Sequence, residues 1–130
     1  MTPEALNALS PSDGRYANIT EPLRQYFSEK ALLRYRTYVE IEYFIALCRL
    51  GVPQLEGALE KEEDIRAIAD GFCDDDAIRI KEIEAVTNHD VKAVEYFLKQ
   101  KCESHPEFAK VLEFSISLAP LRTSTTSPTV

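Results

Sequence analysis

Asn88, His89 and Asp90 set an amide, an imidazole and a carboxylate in three consecutive positions. Such a trio can donate to, accept from and exchange protons with a small polar ligand. Directly behind it, Val91, Val94, Phe97 and Leu98 fall at the spacing of one helix face. The trio therefore stands at a helix start, where free backbone N–H groups and the positive end of the dipole favour anions. Asp90 or Thr87 is expected to cap that helix through a side-chain oxygen. An isolated His-Asp pair is more often structural than catalytic, so the trio alone does not define a site. A second group lies in Ser10-Pro11-Ser12-Asp13-Gly14-Arg15-Tyr16. Pro11 and Asp13-Gly14 are turn formers, and Gly14 is expected to supply backbone freedom before Arg15 and Tyr16. The loop would project a guanidinium and a phenol, suited to a phosphate or carboxylate. By itself a surface arginine needs no ligand.

Other chemistries find less support. His89, Asp90, Cys102 and His105 can be drawn as a metal site, but their spacing matches no common zinc pattern. The acidic run from Glu56 to Asp76 lacks the alternating ligands and closing Glu of a calcium loop. No metal and no cofactor is expected. There is no Gly-rich phosphate loop, no nucleophile elbow and no internal repeat. Cys48, Cys73 and Cys102 are odd in number and far apart, which predicts free thiols in a reducing compartment. A net charge of −7 argues against sequence-independent nucleic-acid binding. It is compatible with one anionic small molecule held by one or two placed cations. No stretch approaches the roughly 18 apolar residues of a membrane span, and the first residues carry no targeting pattern. The expected setting is the cytoplasm, with no nucleic-acid or membrane partner.

The elements that must position these groups read as helices. A hydrophobic content of 45% and a charged content of 28% are ordinary for a globular chain. Thr20 is expected to cap a short helix from Glu21 to Phe27, with Pro22 in its first turn. Ser28 caps the longest helix, Glu29 to Leu50, which Gly51 and Pro53 end. Its apolar band includes Leu32, Tyr35, Val39, Tyr43, Ala46 and Leu50, joined by Ile41, Phe44, Ile45 and Leu47, wide enough to bury most of the helix. Arg34, Arg36, Glu40 and Glu42 on it need water or partners. A solvated helix is expected from about Lys61 to Phe72. The next starts at an Asp74 cap and buries Ile78, Ile80, Ile83 and Val86. The helix behind the trio runs to about Cys102. Ser104-His105-Pro106-Glu107 reads as a further capping box, opening a face of Phe108, Val111, Leu112 and Phe114. Beyond Phe114 the periodicity stops, and Ser, Thr and Pro dominate residues 115–130, a composition expected to be disordered.

Taken together, two motifs carry a resemblance. Ser10-Pro11-Ser12-Asp13-Gly14-Arg15-Tyr16 and the run from Thr87 to Leu98 are similar to adenylosuccinate lyase, as are Phe27-Ser28-Glu29 and Arg79-Ile80-Lys81-Glu82-Ile83-Glu84. The resemblance covers about residue 6 to Phe114. It implies an all-α chain of the fumarase/aspartase superfamily, whose enzymes eliminate fumarate. This family acts on adenylosuccinate and on the succinylaminoimidazole carboxamide ribotide in purine synthesis. By motif match, Arg15 and Tyr16 are implied to bind the phosphate end of the nucleotide. Asn88, His89 and Asp90 are implied to line the substrate site, with His89 as an auxiliary in proton handling. Family members are homotetramers whose sites combine three subunits. Residues 1–114 would then be the N-terminal helical domain, without the long helix bundle.

Two family segments do not occur in these 130 residues: the Thr-His-Gly motif with the general acid, and the Ser-Ser-x-Met-Pro-x-Lys-x-Asn loop with the base. The resemblance therefore implies an inactive chain, whose tetramer is in doubt, or a shortened partner of full-length subunits. Residues 115–130 fit a shifted reading frame. The family usually continues Phe-His-Phe-Ala-Cys-Thr-Ser-Glu-Asp-Ile-Asn-Asn-Leu-Ser-His. Reading Cys-Thr-Ser-Glu-Asp-Ile-Asn-Asn one base late yields Ala-Pro-Leu-Arg-Thr-Ser-Thr-Thr, the sequence of Ala119 to Thr126. The same shift can generate Ser115 to Leu118 and Ser127 to Thr129.

Overall fold

The computed structural model describes residues 1–51, 53–55, 57–103, 106, 109, 110, 112 and 113. The fold is all-α, and no strand occurs among the described residues. The chain divides into two compact units, the first from Met1 to Leu32 and the second beginning at Leu33.

In the first unit, α1 (Pro3–Leu6), α2 (Ala17–Thr20) and α3 (Arg24–Phe27) are single turns. A 3-10 turn at Glu21–Leu23 leads into α3, so the short helix expected after Thr20 is present. Thr20 does not cap it. Its hydroxyl instead donates to the Ser12 carbonyl at 2.7 Å, tying the helix back to the preceding loop. Ser28 does cap α4 (Glu29–Arg49), its Oγ accepting from the Ala31 amide at 3.1 Å. Gly51, at φ +76°, ends the helix in the left-handed conformation that glycine takes without steric cost.

The second unit holds the core. Leu33, Ile41, Phe44, Ile45 and Cys48 form the buried stripe of α4. Behind them come α5 (Glu62–Asp70), α6 (Asp74–Thr87) and α7 (Asp90–Lys101). They contribute Ile65 and Ala69, Ile80 and Ile83, and Ala93, Val94, Phe97 and Leu98. Phe72 meets Phe97 edge to face with centroids 6.1 Å apart. The expected burial of most of α4 is only half realised. Tyr35, Val39, Ala46 and Leu50 are exposed on a second apolar stripe, because the packed neighbours cover one side. In α6 likewise, Ile80 and Ile83 are buried, whereas Ile78 and Val86 are 56% and 83% exposed. At 100° per residue they point away from Ile80.

Charged groups pin these helices. Glu42 receives Arg66 through both oxygens, at 2.9 and 3.2 Å, and this guanidinium holds the Glu42 carboxyl below its usual range. Glu62 takes Arg49 and Arg66, each at 2.6 Å. The α5 helix runs from Glu62, not Lys61, since Ala58–Lys61 is a 3-10 turn. Asp74 is the first residue of α6 and not its cap. Cys73 occupies that position, and Asp76 closes a capping box by accepting from the Cys73 amide at 3.0 Å. Pro106, Ala109, Lys110, Leu112 and Glu113 are helical, and Lys99 reaches Glu113 at 2.6 Å. The capping box at Ser104 and the tail 115–130 lie outside the described residues.

Candidate functional site

The α6 and α7 helices pack against each other as an antiparallel hairpin joined by two residues, Asn88 and His89. Asn88 stands in the left-handed region, φ 52° and ψ 30°, and its amide donates to the Glu84 carbonyl at 2.8 Å. Asparagine tolerates this conformation better than most residues with a Cβ, so the turn itself asks for a residue of its type. His89 is extended and is the cap of α7: its Nδ1 accepts from the Lys92 amide at 3.3 Å. The expected caps do not hold the position. Thr87 ends α6, its hydroxyl near the His89 amide at 3.4 Å. Asp90 is the first residue of α7, where Oδ1 accepts from the Val91 amide at 2.8 Å. An imidazole acceptor is a less usual cap than a carboxylate, which is why residue type pointed elsewhere.

This cap has a chemical consequence. A neutral ring accepting at Nδ1 carries its proton on Nε2. His89 therefore offers a donor, and it lines an open groove of about 540 Å3 with Asn88, Asp90, Lys81, Glu84 and Ala85. Lys81, Glu84 and Ala85 lie seven, four and three residues before Asn88 on α6, along one helix face. That spacing is the signal in the sequence that joins them to the trio. Lys81 and Glu84 pair at 3.2 Å. The groove thus combines an amide, an N–H donor, a cation and carboxylates, a set that can orient a polar ligand by hydrogen bonds at both ends.

The loop of the first unit is equally ordered. The Asp13 and Gly14 amides donate to the Ser10 and Pro11 carbonyls at 3.1 and 3.2 Å, and the Tyr16 amide to Pro11 at 2.9 Å. Arg24 fastens it by ion pairs to Asp13 and Glu21, at 3.1 and 3.2 Å. Gly14 is required for space and not for a left-handed φ. A Cβ there would lie 2.4 Å from the Ala5 carbonyl oxygen. Arg15 and Tyr16 are exposed, with the guanidinium 4.7 Å from the Tyr16 ring centre and also donating to the phenol oxygen. An exposed guanidinium held beside an aromatic ring is a group suited to recognition of a phosphate or carboxylate.

Among the described residues, no three His, Cys, Asp or Glu side chains cluster as a metal site, and no helix is long and apolar enough to cross a membrane. His105 lies outside those residues.

No family model matches the chain. Curated relatives do. Adenylosuccinate lyase of Vibrio cholerae is 51% identical over 114 residues, 85% of this chain and 25% of the relative. The enzyme of that name from Dictyostelium discoideum is 46% identical over 110 residues, 82% of this chain and 24% of the relative. The Escherichia coli (strain K12) protein is 44% identical over 112 residues, 85% and 25% respectively. The chain spans about a quarter of the length of the curated relatives it matches. With its all-α fold and identity at this level through most of its length, the chain is similar to the N-terminal part of adenylosuccinate lyases, members of the fumarase/aspartase superfamily.

Proposed function

We propose that this chain supplies the nucleotide-contacting part of an adenylosuccinate lyase site, and that it is inactive alone. The reaction is β-elimination of fumarate from adenylosuccinate or the succinylaminoimidazole carboxamide ribotide, in cytoplasmic purine synthesis. The observation that carries the reading is the α6–α7 link, where the Asn88-His89-Asp90 motif that carries the family resemblance coincides with a polar groove and an oriented imidazole. Asn88 and the His89 Nε2–H would hold substrate oxygens. Arg15 and Tyr16 would hold the phosphate end of the nucleotide. His89 is an auxiliary in this scheme, because its Nδ1 is engaged in the cap. Elimination needs a base for the proton β to the leaving amine and an acid for the amine. Neither the Thr-His-Gly nor the Ser-Ser-x-Met-Pro motif occurs in these residues, so the chain is expected to hold substrate without turning it over. Residues 115–130 are read as an out-of-frame continuation of a lyase gene. An intact reading frame in the transcript across the Phe114 codon would refute that part.

The test is fumarate release by the purified chain, which is expected to stay at background with either substrate. Turnover without added full-length enzyme would overturn the inactivity. Arg15→Ala at the matching position of a full-length relative is expected to weaken nucleotide binding, and an unchanged KM and kcat would count against its role.

A second reading rests on the uncovered stripe of α4, where Tyr35, Val39 and Leu50 are exposed. Exposed apolar patches mark association surfaces. On this reading the chain joins full-length subunits and alters their tetramer. Light scattering of the mixture would register a heteromeric mass, and unmixed masses would dismiss it.

A further inference from the structure

Arg36 lies on α4, far in sequence from the hairpin link, yet its Nη2 sits 3.1 Å from Asp90 Oδ2. Both side chains are partly buried, at 33% and 50% exposure. Asp90 thereby serves two partners, one oxygen for Arg36 and the other for the Val91 amide at 2.8 Å. Its Oδ1 is also 4.0 Å from the His89 Nδ1, the atom that caps α7. These distances set up a competition. A carboxylate beside an imidazole attracts a proton to the facing nitrogen. A proton on Nδ1 would abolish the cap, because Nδ1 could no longer accept from Lys92. It would also remove the proton from Nε2 in the neutral ring. Pairing with a permanently charged guanidinium lowers that pull and fixes the carboxylate on its other side.

We infer that Arg36 is a positioning residue: by holding Asp90 it keeps His89, a lining residue of the groove, in the Nδ1-accepting, Nε2–H form. The importance of that form for substrate rests on the function proposed above, whereas the restraint itself is a property of the free chain. Arg36 is not itself among the residues that line the groove, and it acts through Asp90, which is.

The experiment uses the whole 130-residue chain. Nitrogen-15 NMR of His89 reports the tautomer, and water exchange at the Val91 and Lys92 amides reports the first turn of α7. In the native chain the Nε2–H signature should dominate. Arg36→Ala should move the ring toward the Nδ1–H form and speed exchange at Lys92 about five-fold, the scale of one half-exposed ion pair. Exchange at Ile41 and Ile80 should stay unchanged. Arg36→Lys should restore most of the native signature, and Asp90→Asn should leave the tautomer insensitive to Arg36→Ala. An unchanged His89 signature in Arg36→Ala would overturn the inference, as would equal acceleration at Lys92 and Ile80, the mark of general loosening. Titration with adenosine monophosphate separates this from the functional reading. Shifts at Arg15 and Tyr16 in the native chain support that reading, and their absence counts against it whatever His89 shows.

Discussion

Asp76 offers the sharpest test of how the hairpin is held. It is 7% exposed, accepts from the Cys73 amide at 3.0 Å and pairs with Lys101 at 2.9 Å. The first bond caps α6 at its start, and the second ties that start to the end of α7, so Asp76 closes the hairpin opposite the link. Burial pushes its pKa up, but the Lys101 ammonium together with the Cys73 amide and thiol outweighs it, leaving the carboxyl below the ordinary 3.8. Asp76→Ala removes a charge-assisted cap bond and half of a partly buried ion pair. Lys101 stays hydrated enough to avoid the full penalty of an orphaned buried charge, so the loss should be about 2–3 kcal/mol. With a urea m-value of about 1.5 kcal/mol/M, the midpoint should fall by about 1–2 M. Asp76→Asn keeps an acceptor for Cys73 and loses only the charge, about 1 kcal/mol. The pH dependence fixes the sign. A depressed native pKa contributes stability above the unfolded value of 3.8, and that contribution fades as pH falls through the native pKa. The native chain should therefore exceed Asp76→Asn at pH 7 and converge on it at a pH well below 3.8. Comparing the two cancels the other carboxylates, including Glu42 and Glu113. Circular dichroism through urea at both pH values is sufficient, and a gap that stays constant between them would refute the assignment.

Two further outcomes are expected. Asn88→Gly keeps the left-handed turn without its side chain, so the melting temperature should hold within a few degrees while adenosine monophosphate shifts at the groove disappear; Asn88→Ala should add about 1 kcal/mol of destabilisation from the φ of 52°. Burial raises the Cys102 thiol to about 11 and that of Cys48 above its usual value, so iodoacetamide at pH 8 should label exposed Cys73 alone. Mass spectrometry of the digest would show it, and equal labelling of all three would contradict the packed core.

Much of the helical order was legible because apolar spacing and turn formers agree locally. Ser28 before Glu29, and Gly51 after Arg49, mark the ends of α4 almost to the residue. Which face of α4 is buried was not legible, because Leu33, Ile41 and Cys48 compete with Tyr35, Val39 and Leu50 at equal periodicity, and only packing chooses between them. The caps were missed for a related reason: His89 and Cys73 are less common acceptors than their acidic neighbours Asp90 and Asp74. Gly14 was identified as special on the wrong ground, since its Cβ exclusion depends on Ala5, nine residues earlier. The Asn88-His89-Asp90 trio was placed correctly at a helix start. Its restraint by Arg36 depends on a contact between α4 and α7 that no local spacing encodes.

The two-residue link between α6 and α7 also limits how the groove can vary. Asp76 pairs with Lys101, and Arg79 with Gln100 at 3.0 Å, so partners mirror each other about the link. One residue inserted in the first turn of α7 would rotate the rest of that helix by about 100° relative to the tip and advance it about 1.5 Å. Ala93, Val94 and Phe97 would leave the core together, and Lys101 would lose Asp76. The polar residues at the tip are thus phase-locked to the apolar ones along the shaft. Changes to the groove must come by substitution, since a change of length at the tip would unmake the hairpin that presents it.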